Sequence, residues 1–289
     1  MENNKISNNN LEHGLDLFSV FRKNRKNYNY KVELLLALFK WRIVEDNIED
    51  VYLHIDLNKK TTHTASSSNN HINIFASDII NAHNLKSILD LIDSVFHELN
   101  HLKIKQENKK QTNYMPEFHF VGVYNAIKQI CEYDFDTTYS ITLALYAINA
   151  NEKESRERAY NQINFLIKEL NNKKIKDKYL VKRLIKIHNK ANIHQITKNL
   201  KHCIKIYQIF EKDIKKKVEE FLLAYSNNPE KRTKTDNAIF YSIHEIFPCQ
   251  QAYRNLYNFY LNKEDLNNAD KILNYAMFTK KKDLVNLKN

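Results

Sequence analysis

Glycine is almost missing from this chain of 289 residues; it occurs only as Gly14 and Gly122. Neither a G-x-x-x-x-G-K phosphate loop nor a G-x-G-x-x-G dinucleotide turn can be written, because both need closely spaced glycines. Proline occurs three times. So little turn chemistry argues against an all-β sandwich and for long helices. Cysteine is sparse too. Cys131, Cys203 and Cys249 are odd in number, far apart and without a C-x-x-C, so neither a disulfide framework nor a cysteine zinc site is expected. The longest apolar run, Leu34 to Phe39, is far too short to cross a bilayer. The opening MENNKISNNN lacks the apolar core of a secretory signal. The expectation is a soluble chain made in the cytoplasm, with no membrane partner; a signal-less export route would leave no mark.

What the chain has is Asn, Lys, Ile and Tyr in excess, a bias that points to an AT-rich coding genome more than to a chemistry. Its net charge is +11, unevenly spread. Residues 160–289 carry 26 Lys+Arg against 13 Asp+Glu, whereas residues 1–159 carry 19 against 21.

The stretch that carries chemistry is Leu85 to Lys103, LKSILDLIDSVFHELNHLK. Leu85, Ile88, Leu89, Ile92, Phe96 and Leu99 recur every three or four residues, which predicts an amphipathic helix, with Asn84 as its N-cap. On that helix His97 and His101 stand one turn apart on one face, so two imidazoles can converge on one ion. Glu98 sits beside the first, placed to act on a metal-bound water without ligating the metal. A chain of this composition contains such an H-E-x-x-H by chance about 0.03 times. Upstream, Val51, Leu53, Ile55 and Leu57 alternate with Tyr52, His54 and Asp56, predicting a half-buried strand. Residues 58–70 are polar and read as a turn or loop, and His71 to Ala76 reads as a second strand paired with the first.

Strand, loop, strand and H-E-x-x-H helix in this order resemble the zincins, the H-E-x-x-H zinc metallopeptidases, over roughly Val51 to Phe165. The resemblance implies a small sheet packed on the metal helix. Its last strand would form the edge that holds an extended peptide by main-chain pairing. It also implies Zn²⁺ as cofactor, a protein or peptide as substrate and Glu98 as general base.

Such a site needs a third protein ligand, leaving the fourth position for water. Zincins with a glutamate ligand supply it from a second helix, as Asn-Glu-x-x-Ser/Ala or Glu-x-Glu-Ala-Arg. Asn151-Glu152-Lys153-Glu154-Ser155-Arg156 fits with Glu152 as the ligand, Glu154 as the alternate and Glu157 after it. The acid that often follows four residues later is Arg156 here, so the support of a ligand histidine must come from elsewhere; Asp93, one turn before His97, is a substitute. Tyr146, Tyr160 and His119 are eligible to stabilise the oxyanion by neighbourhood alone. His119 lies in Tyr114 to Gly122, read as a loop near the cleft because Pro116 and Gly122 interrupt it.

Residues 1–12 read as a polar, disordered lead-in, and 32–41 as a buried helix with Trp41 in the core. Beyond Phe165, amphipathic helices are predicted at about 160–171, 177–190, 194–225, 235–246, 250–261 and 265–278. Lys173-Lys174, Lys215 to Lys217 and Lys280 to Lys282, with Tyr253, Tyr257, Phe259 and Tyr260 interleaved, invite a nucleic-acid or protein partner. The sequence thus predicts an α+β chain in three parts: a polar segment over 1–30, a zincin-like metallopeptidase domain over 31–165, and a basic helical extension over 166–289. The competing reading is a non-catalytic helical binding module with a structural H-E-x-x-H helix.

Overall fold

In chain order, the computed structural model places α1 at Glu2–Ser19, α2 at Phe21–Asn24, α3 at Tyr28–Glu45, β1 at Tyr52–Asp56, β2 at Ala65–Ser68 and β3 at His71–Phe75. Then come α4 at Ala76–Asn81, α5 at Leu85–Gln111, α6 at Phe120–Cys131, α7 at Phe135–Ile148, α8 at Ala150–Asn172 and α9 at Lys178–Lys190. The chain closes with α10 at Ile193–Asn227, α11 at Lys234–Ile243, α12 at Gln250–Asn262 and α13 at Leu266–Asn286. The structure describes residues 2–57, 65–68, 70–111, 118–173, 178–190 and 193–286. The layout is α+β, dominated by helix. None of the described helices is long and apolar enough to cross a membrane.

Two compact units share the chain, and both are discontinuous. The first joins residues 1–111 to 153–196, the second residues 112–152 to 197–289. These divisions differ from a boundary at 165, because α8 and α9 pack into the core that holds α3 and α5.

In the first unit, α5 is the axis. Asn84 caps it by accepting the Ser87 N–H at 3.0 Å, and Ser87 Oγ accepts the Asn84 N–H at 3.2 Å. The expected stripe of Leu85, Ile88, Leu89, Ile92, Phe96 and Leu99 is buried, and so are Leu91, Val95 and Leu102. The helix is covered on several sides because it packs against α3, α4, α9, β2 and β3. Each large side chain so buried contributes roughly 1.5–3 kcal/mol. Trp41 of α3 is in this core, edge-on to Phe96 at 6.0 Å and stacked on Phe165 at 5.7 Å. Helix α5 runs on to Gln111, so the basic segment beginning at Lys103 is helical for two further turns.

The polar N-terminus is helical as well. Leu11, Leu15, Leu17 and Phe18 bury one face of α1 against α3. A Cβ on Gly14 would fall 2.6 Å from Leu38 Cδ2, so glycine permits the close approach of the two helices. Lys31, 1% exposed, donates its ammonium to the carbonyls of Ile80 (2.8 Å) and Ala82 (3.4 Å) at the end of α4. Burial lowers its pKa.

The strand order is β1-β3-β2, with β1 parallel and β2 antiparallel to β3. Ile72 and Ile74 of β3 are fully buried, as the period of two requires. Two expectations change here. The serine-rich stretch contains a strand, and Asn70, left-handed at φ 65°, stands in the tight link to β3. The last strand before the metal helix is central, because β2 occupies the edge beside it.

The second unit is all helix among its described residues, with Ile214, Val218, Leu222, Phe240, Ile243 and Tyr253 central in its core. Gly122 lies inside α6, where a Cβ would meet Ser242 Oγ at 2.5 Å. The segment read as a loop therefore becomes helix at Phe120; residues 112–117 lie outside the described ones.

Candidate metal centre

Two helices bring the donors together. His97 and His101 project from consecutive turns of α5, their Nε2 atoms 3.0 Å apart and their rings nearly perpendicular at 86°. Glu152 lies in the first turn of α8, a helix continuous into the first unit. A single residue, Asn149, separates α7 from α8, and its side chain accepts the Glu152 N–H at 3.1 Å. Donor atoms of His97, His101 and Glu152 all lie within 4.8 Å of one another.

Glu154, the alternate, is committed elsewhere. Its carboxylate meets the Arg158 guanidinium at 2.6 Å, and Arg158 also binds Glu107 of α5 at 2.9 Å. Glu157 is exposed and faces Lys153 at 4.0 Å. Helical geometry explains the choice: Glu152 and Ser155, three residues apart, share the face turned to α5.

Ser155 is the residue that sequence reasoning passed over. It is fully buried, and its Oγ lies 3.0 Å from His101 Nδ1. A histidine that ligates through Nε2 needs an acceptor for the proton on Nδ1, and Ser155 Oγ offers one. The serine is held in turn. Its carbonyl accepts from Asn100 Nδ2 at 3.4 Å, and Asn100 exchanges two 3.1 Å hydrogen bonds with Gln162. Gln162 then reaches Asp46, which is paired with Arg42. The chain of bonds ties α3, α5 and α8 together behind His101. The signal was present in the Asn-Glu-x-x-Ser spelling, where Ser155 is the final residue.

Asp93, one turn before His97, is electrostatically coupled to it. More than a third of the residue's surface stays open, yet the protein packed around its carboxyl raises the pKa to about 6. The charge of His97 opposes that rise and Asp90 adds to it.

The donor set fits a zinc ion. Two imidazoles and one carboxylate are a common three-ligand set for a site that keeps its fourth position for water. Tetrahedral coordination at about 2.0–2.1 Å puts ligand nitrogens roughly 3.3 Å apart, so the Nε2 pair is within a few tenths of an ångström of it. Glu152 is 5% exposed, so its carboxylate is held deep beside the two imidazoles. Glu98, next to His97, is half-buried and is not one of the three donors.

Tyr160 is about 12 Å further along α8 than Glu152, its ring stacked on His188 at 4.2 Å. His119, exposed before α6, and Tyr146, edge-on to Phe118 and Phe120, belong to the second unit. The three cysteines are buried and free. Three lysines of the basic extension are neutralised along their own helix: Lys215 by Glu211 (2.7 Å), Lys216 by Glu220 (3.9 Å) and Lys217 by Asp213 (2.9 Å). Lys173 binds Asp16 at 3.3 Å; Lys174 and the side chains of Lys280 to Lys282 lie outside the described ones. Tyr253 is core.

No family model, curated protein or solved structure matches the chain, so the reading of this centre rests on its own residues and their geometry.

Proposed function

We propose that the chain is a zinc-dependent metallopeptidase with a zincin-type site, hydrolysing peptide bonds of a protein substrate. The observation that carries this is the convergence of His97, His101 and Glu152 on one point, with a non-ligand carboxylate, Glu98, beside the first histidine. Bound there, Zn²⁺ supplies Lewis acidity toward water and toward a carbonyl oxygen. Glu98 accepts the proton of the attacking water and delivers it to the departing amine. Ser155 and its partners hold His101 in the tautomer that leaves Nε2 free to ligate. For the substrate, the central β3 has both of its edges paired, so main-chain pairing falls to an outer strand, β1 or β2, of which β2 packs on α5.

The test is Glu98→Gln, read by zinc stoichiometry and by cleavage of a peptide library. The variant should keep about one zinc per chain, with nitrogen and oxygen but no sulfur coordination, and lose roughly 10²–10⁴-fold in rate. Full activity in Glu98→Gln, or thiolate coordination in the absorption spectrum, would overturn the reading and leave a helical binding module.

A further inference from the structure

We propose that the first unit carries a binding surface for single-stranded nucleic acid, built from α2, the turn after it and α9. It stands apart from the lysine runs that attract notice in the sequence. Residues 20–32 and 178–190 contain no Asp or Glu at all, yet include Arg22, Lys23, Arg25 and Lys26 in one and Lys178, Lys182, Arg183 and Lys186 in the other. The fold joins the two segments: the Arg22 guanidinium lies over the Tyr179 ring at 5.1 Å. All eight cations are exposed. Lys215, Lys216 and Lys217 each have an acid one turn away, but Lys23, Arg25, Lys26, Lys182, Arg183 and Lys186 have no ion-pair partner among the described residues. The two segments, flanked by single acids at Glu33 and Asp177, meet at one place with eight exposed cations, and such a concentration of positive charge selects a polyanion.

The chemistry of the patch narrows the class. Leu180, Val181 and Leu184 of α9 are buried in the core, and Ile185 is the one exposed aliphatic residue of the helix, too little apolar surface to sink into a lipid layer. Tyr179 stands among the cations and is 65% exposed, a ring on which an unpaired base can stack. Lys178, Lys182 and Lys186 recur every four residues and form one row along α9, about 6 Å apart in rise, suited to following a phosphate backbone. Cationic rows with an aromatic platform are how proteins hold single strands without reading sequence. The inference does not depend on the metal centre.

The test uses the full chain and a fluorescent 20-nucleotide oligo-uridine, with anisotropy read from 50 to 200 mM salt. Six contacts correspond to a log–log salt slope of about −4. Lys182→Gln/Arg183→Gln/Lys186→Gln should cut the slope by about 2 and weaken binding at least tenfold; Lys215→Gln/Lys216→Gln/Lys217→Gln should change neither. Tyr179→Ala should lose affinity that Tyr179→Phe retains. Zinc stoichiometry should be unchanged in every variant, which separates this surface from the peptidase reading. Absence of binding at 50 mM salt, or an α9 triple variant equal to wild type, would overturn the proposal. Tighter binding to a duplex, to phosphatidylserine vesicles or to polyglutamate would do so as well.

Discussion

Ser155→Ala takes away one oxygen atom and tests whether the support behind His101 matters to the metal. The Oγ lies 3.0 Å from His101 Nδ1 and is fully buried, so no solvent replaces it. A buried polar group left without its partner costs about 1–3 kcal/mol. In the proposed role Ser155 Oγ accepts the Nδ1 proton and leaves Nε2 to ligate, so most of that loss should fall on the metal-bound state, predicting zinc binding weaker by about 10–100-fold. Competition against a chelator of known affinity measures it, with thermal unfolding of the metal-free protein as the second readout. Glu157→Gln is the control: its carboxylate is exposed and meets only Lys153 at 4.0 Å, so affinity should not move. Equal zinc affinity in Ser155→Ala and wild type would refute the assigned role. A drop in apo stability with no change in affinity would make Ser155 a packing residue.

Glu152→Gln and His101→Ala should each lose the metal, whereas Glu154→Gln should keep it because Glu154 is held by Arg158; zinc analysis after gel filtration separates these. Lys31→Met should destabilise the fold by about 1–3 kcal/mol in urea unfolding, since the carbonyls of Ile80 and Ala82 lose a buried donor. His244 gives a pH effect. Burial, and next to it the charge of Lys271, depresses its pKa from 6.5 to about 3, so its neutral form stabilises the fold. That contribution is complete above pH 6.5 and is lost at about 1.4 kcal/mol per pH unit as pH falls toward 3. Urea unfolding of His244→Gln and wild type should show the difference in slope between pH 6 and 4; parallel profiles would refute it.

How far the sequence reveals this centre depends on the range of the contacts. His97 and His101 are four residues apart on a strongly periodic helix, so local geometry alone pairs them. The C-terminal helices are legible for the same reason; α9, α10 and α12 begin and end within two residues of their predicted limits. Helix α1 was hidden by its asparagines, which are poor helix formers, and it forms because Leu11, Leu15 and Phe18 find α3. Strand β2 has no apolar alternation to announce it and gains its order from pairing with β3. Glu152 could be named from its spelling but not separated from Glu154, because the partner that decides, Arg158, also depends on Glu107 of a distant helix. The pairing of Lys215 to Lys217 with acids one turn away was within reach of the sequence, and counting lysines without their neighbours concealed it.

The interleaving of the two units has a consequence for how the protein is made. The ribosome delivers α5, with both histidines, well before α8 exists, and the 41 residues 112–152 of the second unit must emerge in between. Until then the nascent chain offers only a bidentate site. The core around α5 stays open until α9 arrives at Leu180 to Leu184, and the second unit waits longer still, for α10 onward. The first unit is complete only at residue 196, after the second has been begun and left open, so a premature stop between residues 111 and 196 strands both, and a later one strands the second. Gene dissection must respect the same order: no single cut releases either unit whole, and separating them requires rejoining residue 111 to residue 153 through a new link.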